Sequence, residues 1–198
     1  MHQYRGRMIL HTGSMFSGKT SSLEKDLKRF SIANYKVVAF KPLMDKRYAK
    51  NEIVTHDKIS LDAVEVESIN EILAYVEKYS PQVIGIDEVQ FLCDTPELVL
   101  EDLEKILDMG ITIVLAGLDM DYMAQPFEIV KELMPKVDYL NKHHAVCKKC
   151  GTDAWVSHRK IKSDKRVELG AVEEYEPLCR RCYRDCLLYT TDTADDLT

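Results

Sequence analysis

Gly13-Ser14-Met15-Phe16-Ser17-Gly18-Lys19-Thr20 has the Gly-x4-Gly-Lys-Ser/Thr spacing of a phosphate-binding loop, or P-loop. Its glycines let the backbone curl so that successive N–H groups face a triphosphate. A helix starting directly afterwards adds the positive end of its dipole. Lys19 suits the β- and γ-phosphates, and the Thr20 hydroxyl suits Mg²⁺. Such a site needs a second acid for its metal, and the apolar run Val83-Ile-Gly-Ile-Asp87 ends in one. Asp87 is placed to hold Mg²⁺ through water. Glu88 projects one residue further and is a candidate base for an attacking hydroxyl or water. Alone, an Asp-Glu pair closing a strand is equally a solvated acidic corner; beside a P-loop it points to phosphoryl transfer from ATP.

A second constellation lies near the C-terminus. Cys147-x2-Cys150 and Cys179-x2-Cys182 have the spacing of a four-thiolate Zn²⁺ site at the end of a small ribbon. The 28 residues between the pairs exceed the roughly 15–20 of compact ribbons, so a protruding loop or hairpin is expected there. With four protein ligands the metal is structural, anchoring both ends of that loop. Cys186, one helical turn beyond Cys182, is a spare thiol that could substitute as ligand but is not counted among the four. His143 and His144 lie near the first pair, but four cysteines complete the shell.

The elements that position these groups follow from periodicity. Met8–His11 is a short apolar strand feeding the glycine loop, and Lys19–Asn34 reads as a helix with Leu23, Leu27, Phe30 and Ile32 on one side. Lys36–Phe40, Ala63–Val66, Val83–Asp87 and Ile111–Ala116 read as further strands. Helices are predicted over 69–79 and 96–109, with a short one over 127–134. This alternation implies βαβ units and a mainly parallel sheet flanked by helices, an α/β fold of the RecA-like P-loop kind, with a small zinc-ribbon domain appended. The pattern changes near Lys142. The expected organisation is a nucleotide-binding domain over 1–141, a zinc-binding domain over 142–186 and a disordered acidic tail over 187–198.

Bulk properties bound the function. A net charge of −6 gives the molecule no electrostatic reason to seek nucleic acid or an anionic membrane. No apolar run approaches the roughly 18–20 residues that span a bilayer. The first residues lack the apolar core and cleavage site of a signal peptide, so a cytoplasmic location is expected. The absence of an Asn/Thr-Lys-x-Asp segment removes the guanine-reading signature of switch GTPases.

In order and spacing, the P-loop at 13–20, Asp-Lys-Arg-Tyr at 45–48, Thr-His-Asp at 55–57, Gly-Ile-Asp-Glu-Val-Gln-Phe at 85–91, Gly-Leu-Asp at 117–119, the paired cysteines and Tyr175 resemble the type II (cytosolic-type) thymidine kinases over residues 7–183. The resemblance implies ATP-dependent phosphorylation of the 5′-hydroxyl of thymidine or deoxyuridine, for salvage into DNA precursors. It makes Glu88 the base, gives Gly13–Thr20 and Asp87 to Mg·ATP, and brings Arg47 toward the phosphates. It places Met15, Phe91, Leu118, Tyr122, Phe127 and Ser157 in the thymine pocket. A zinc-tied lasso over about 157–175 would lay Leu169, Gly170, Ala171 and Tyr175 against the nucleoside. A homotetramer restrained by thymidine triphosphate is implied on the same ground.

Some residues depart from that family's pattern. Ser14 replaces a common proline, and Ala171 stands where a second glycine is usual, at a cost of about 1 kcal/mol if that backbone needs positive φ. Tyr122 stands for a frequent Phe, and Met120-Asp121 for a small polar pair. Two other functions share the same equipment. A nucleic-acid-stimulated ATPase also combines a P-loop with a zinc ribbon, and the cationic run Arg159–Arg166 could follow a phosphate backbone. The overall acidity and the lack of a second basic surface weigh against it. The other is a non-catalytic nucleotide sensor.

Overall fold

The computed structural model describes residues 6–43, 63–161, 166 and 174–191. They form two compact units: residues 6–12, 19–43, 63–117 and 128–141 make up the first, and 13–18, 118–127, 142–161, 166 and 174–191 the second. The first is built on a six-stranded sheet. Its strands are β1 (Met8–Gly13), β2 (Val37–Pro42), β3 (Ala63–Val66), β4 (Val83–Ile86), β5 (Thr112–Leu118) and β6 (Tyr139–His143), in the order β3-β2-β4-β5-β1-β6. The β3–β2, β2–β4 and β4–β5 pairings are parallel, with Val83 opposite Val37 and Thr112. Parallel strands require crossovers, and α1 (Lys19–Ile32), α2 (Ile69–Tyr79) and α3 (Pro96–Asp108) supply them.

Strand alternation decides which helix meets which face. Ile9, Ala39, Val83, Val114 and Ala116 turn to one side, where Leu23, Leu27 and Phe30 of α1 meet them. The i, i+4, i+7 spacing of those three residues puts them on one helical stripe. Gly85 belongs to the same face, and a Cβ there would run into the Leu27 methyls, so its glycine permits the close approach of α1. Phe40 points to the opposite side, where its ring meets Tyr75 of α2 edge-on at 5.3 Å. Ile84, Ile86, Ile113 and Leu115 are fully buried. Thr95 caps α3 by accepting the Leu98 N–H, with Pro96 at the first helical position.

The predicted elements appear to within two or three residues, and the mainly parallel sheet flanked by helices is observed. Within the six-stranded sheet the sequence misses one strand: β6 lies at the sheet edge beside β1. Its residues Tyr139–Lys142 are exposed, so no alternation of apolar and polar residues marks it. Among the described residues no helix is long and apolar enough to cross a membrane.

The second unit has its own small core of Ala145, Cys147, Ala154, Val156, Leu178, Cys182 and Tyr183. It contains an antiparallel hairpin of β7 (Val156–Arg159) and β8 (Tyr175–Leu178), followed by α5 (Arg180–Thr191). α5 extends five residues into the stretch read as an acidic tail; residues 192–198 lie outside the described residues.

Candidate active site and metal centre

All six residues of β1 are buried, and the chain leaves its end through a sharply turned loop. Gly13 has φ +139°, Phe16 +63° and Gly18 +82°, so positive-φ residues alternate with ordinary ones before α1 begins at Lys19. Such reversals turn backbone N–H groups toward a common point, where an anion can sit. A side chain at Gly13 would collide with the His143 carbonyl. The first turn of α1 carries no acid that would compete for its N-terminus. Lys19 is buried, Ser14 is buried and Ser17 half-buried. The Met15 N–H donates to the Ser157 hydroxyl at 2.8 Å, so one side chain of β7 fixes the middle of the loop.

In the first unit, β5 lies between the strand that feeds the loop and the strand that carries the acids. Thr20 Oγ1 lies 3.2 and 3.1 Å from the two carboxylate oxygens of Asp87. Burial, reinforced by the neighbouring Glu88 charge, pushes the Asp87 carboxyl up to about 6. A hydroxyl beside a carboxylate is the all-oxygen donor set that Mg²⁺ prefers, with Thr20 as the direct ligand and Asp87 able to act through a water.

Glu88 follows in the left-handed region, φ +52°, an uncommon conformation for a residue with a side chain. Its N–H donates to Asp87 Oδ1 at 3.0 Å. Gln90, which the sequence offers only as one residue of the 85–91 motif with no role of its own, is buried and donates Nε2–H to Glu88 Oε2 at 2.5 Å. Gly117 makes room for it: a Cβ there would come within 2.8 Å of both Gln90 Oε1 and a Val89 methyl. Gly117→Ala should therefore displace Gln90 and lower kcat by about tenfold. Nucleotide affinity should change less than twofold; unchanged kcat would show that Gln90 does not hold Glu88 in place.

Of the pocket residues suggested by resemblance, Phe91 belongs to the first unit, half-buried in the 3-10 turn Val89–Phe91. Tyr122 and Phe127 belong to the second, on a closed turn organised by Asp121. The Asp121 carboxylate accepts the Met123 and Gln125 N–H groups, each at 2.9 Å. Its other oxygen accepts from Arg166 Nε at 2.8 Å. Arg166 also donates to the Pro126 carbonyl at 2.8 Å and lies 5.1 Å over the Phe127 ring. Arg159, buried, lies 3.5 Å over the Tyr122 ring, and its cross-strand partner is Tyr175, also buried. Leu118 is half-buried and Ser157 buried. Arg47, Leu169, Gly170 and Ala171 lie outside the described residues. The sequence presented Arg159 and Arg166 only as ends of a cationic run; both are engaged within the unit, through contacts that no local pattern encodes.

The four cysteines come together. Cys147, Cys150, Cys179 and Cys182 offer sulfurs that all lie within 4.8 Å of one another, and Cys150 and Cys179 Sγ are 3.6 Å apart. The first pair sits on a tight turn closed by the Cys147 N–H to the Thr152 carbonyl at 2.7 Å, with Gly151 at φ +76°. The second pair is at the start of α5, where the Cys182 N–H points at Cys179 Sγ. That N–H leads in pulling the Cys179 thiol down to about 6, whereas the Cys182 thiol's own side-chain hydrogen bond to Cys179, helped by burial, pushes Cys182 up to about 12. Four sulfurs this close suit one tetrahedral Zn²⁺, whose ligands are separated by about 3.7 Å.

Residues 6–183 match the family model described as thymidine kinase. A thymidine kinase of Bacteroides thetaiotaomicron is 42% identical over 179 residues, covering 90% of this chain and 87% of that protein. One from Porphyromonas gingivalis is 42% identical over 182 residues, covering 92% and 87%. One from Rhodothermus sp. is 41% identical over 173 residues, covering 87% and 78%. Among solved structures, the flagellar accessory protein FlaH from Methanocaldococcus jannaschii shares the fold, with a TM-score of 0.54 over 75% of each chain at 12% identity.

Proposed function

The chain belongs to the thymidine kinase family, and from that we propose that it transfers the γ-phosphoryl group of ATP to the 5′-hydroxyl of thymidine or deoxyuridine, yielding the monophosphate for nucleotide salvage. The observation that carries the chemistry is the cluster Thr20, Asp87 and Glu88: a hydroxyl and a carboxylate paired for a metal, with a second carboxylate held by Gln90. Lys19 and the loop N–H groups bind the β- and γ-phosphates, and Thr20 and Asp87 hold Mg²⁺. The metal supplies charge neutralisation at the phosphates. Glu88 takes the 5′-hydroxyl proton as the oxygen attacks in line, and Lys19 stabilises the charge spreading over the equatorial oxygens. Arg47 is assigned to the same charge.

The nucleoside site is assigned to Met15, Phe91, Leu118, Tyr122, Phe127, Ser157, Leu169, Gly170, Ala171 and Tyr175. An apolar slot of this kind grips a flat pyrimidine by stacking and excludes water that would otherwise hydrolyse ATP. Zn²⁺ on the four cysteines is structural in this reading. Resemblance further makes the enzyme a cytoplasmic homotetramer inhibited by thymidine triphosphate.

Incubation with labelled ATP, Mg²⁺ and a panel of nucleosides tests the proposal. Thymidine monophosphate is the expected product. ATP hydrolysis that yields no nucleotide from any nucleoside, or that rises only with DNA, would overturn it. The slot assignment has a separate test in Arg166, which holds the turn bearing Tyr122 and Phe127 without belonging to the slot. Arg166→Ala should raise the KM for thymidine about tenfold while changing kcat and the KM for ATP less than threefold. Arg166→Lys should recover little, because one ammonium cannot reproduce the two directed bonds of a guanidinium. An equal fall in kcat would place Arg166 in the chemistry instead.

A further inference from the structure

We propose that His158, Glu176 and Cys186 form a second metal site, for Zn²⁺ or a similar borderline transition-metal dication, separate from the four-cysteine centre. Three elements of the second unit converge to make it. His158 on β7 and Glu176 on β8 are direct cross-strand partners, so their side chains leave the same face of the hairpin. Cys186 comes from α5, which follows β8 directly. One nitrogen, one oxygen and one sulfur then lie within 4.8 Å of one another. Tetrahedral zinc with bonds of about 2.0–2.3 Å separates its ligands by about 3.3–3.8 Å, so small side-chain rotations close the set. The mixed donors select a borderline metal over Mg²⁺ or Ca²⁺, which prefer oxygen alone. Three protein ligands leave a fourth position for water.

The surroundings suit such a site. All three residues are half-buried, which limits competing water. The His158 ring meets Tyr183 edge-on at 5.8 Å, which restrains its plane. Burial lowers the His158 pKa, favouring the neutral imidazole that ligates metals. Lys149 Nζ lies 2.8 Å from Cys186 Sγ, so the sulfur already faces a cation. Lys149 is exposed and can swing into solvent when a dication arrives. Any proton on the Cys186 sulfur is released to water as the metal binds. Bound metal would staple the second turn of α5 to the β7–β8 hairpin.

Cobalt titration of the intact, zinc-loaded protein tests this, read by the thiolate-to-cobalt absorption band. One further equivalent should bind, with a band of single-thiolate intensity. Cys186→Ser should abolish the band and His158→Ala should weaken binding at least tenfold, while the four-cysteine zinc stays in place. Lys149→Ala should tighten binding about tenfold, because the competing ammonium is gone; a structural role for Lys149 would not do this. As a check that needs no variant, excess Zn²⁺ should slow alkylation of Cys186 in the wild-type protein at least tenfold. A metal content fixed at one per chain under excess Zn²⁺, a cobalt band that survives Cys186→Ser, or alkylation indifferent to zinc would each overturn the proposal.

Discussion

Glu88→Gln should lower kcat by about 10²–10³-fold while leaving the KM values for ATP and thymidine within about threefold. The substitution is close to isosteric. Its side-chain carbonyl can still accept the Gln90 N–H that now reaches Glu88 Oε2 at 2.5 Å. The left-handed backbone at φ +52° tolerates Gln as it tolerates Glu. What disappears is the ability to take a proton, so the loss measures base catalysis directly, at about 3–4 kcal/mol of barrier. Metal binding should not be the casualty. The Glu88 charge is the second cause, after burial, of the raised Asp87 pKa, and removing it lets Asp87 ionise more readily. Steady-state kinetics with Mg²⁺ varied would separate the two effects. A mutant at full speed, or one rescued by excess Mg²⁺, would remove Glu88 from the proton transfer.

The contrast between Glu88 and Gln90 shows what kind of information the sequence carries. A P-loop demands an acid at the end of another buried strand, and among the strand-like runs only Val83–Asp87 ends that way, which singles out Asp87 and, next to it, Glu88 as a candidate base. Nothing singles out Gln90, because its role depends on a glycine on β5, 27 residues later, that leaves space for it. The same distinction runs through the molecule. Strands buried on both faces announce themselves as apolar runs, whereas β6 is exposed over Tyr139–Lys142 and carries no such signal. The cysteine pairs are spaced for their chemistry locally, so the cluster was predictable. Arg166 and Asp121 lie 45 residues apart, and neither has a neighbour that hints at the other. The sequence offers Arg159 only as the start of a cationic run that could follow a phosphate backbone; its guanidinium is in fact buried on Tyr122. Ser157 was suggested as a polar member of the pocket, yet the bond it makes here is to the phosphate loop, through the Met15 N–H.

Removal of zinc, by chelation or by Cys150→Ala, should cut thymidine phosphorylation at least 10²-fold and lower the melting temperature of the second unit by more than about 10 °C. The size of the effect follows from how little else holds that unit. Among the described residues its core cluster has seven buried members, two of them cysteines of the metal cluster, and a chain segment of this length rarely buries enough apolar surface to stand alone. Structural zinc contributes on the order of 10 kcal/mol to small modules. Without a dication, thiols held within 4.8 Å of one another cannot all ionise, because each thiolate would repel the others. Loosening this core frees Trp155–Arg159 and with it Ser157, the hydrogen-bond partner of Met15 in the phosphate loop. ATP affinity should therefore fall as well, though by less than tenfold, because Lys19, Thr20 and Asp87 belong to the other unit. Nucleoside turnover and ATP binding should thus respond to chelation very unequally. Loss of both in equal measure would mean that zinc maintains the whole chain, and a metal-free protein with full activity would mean that the cysteine cluster needs no metal.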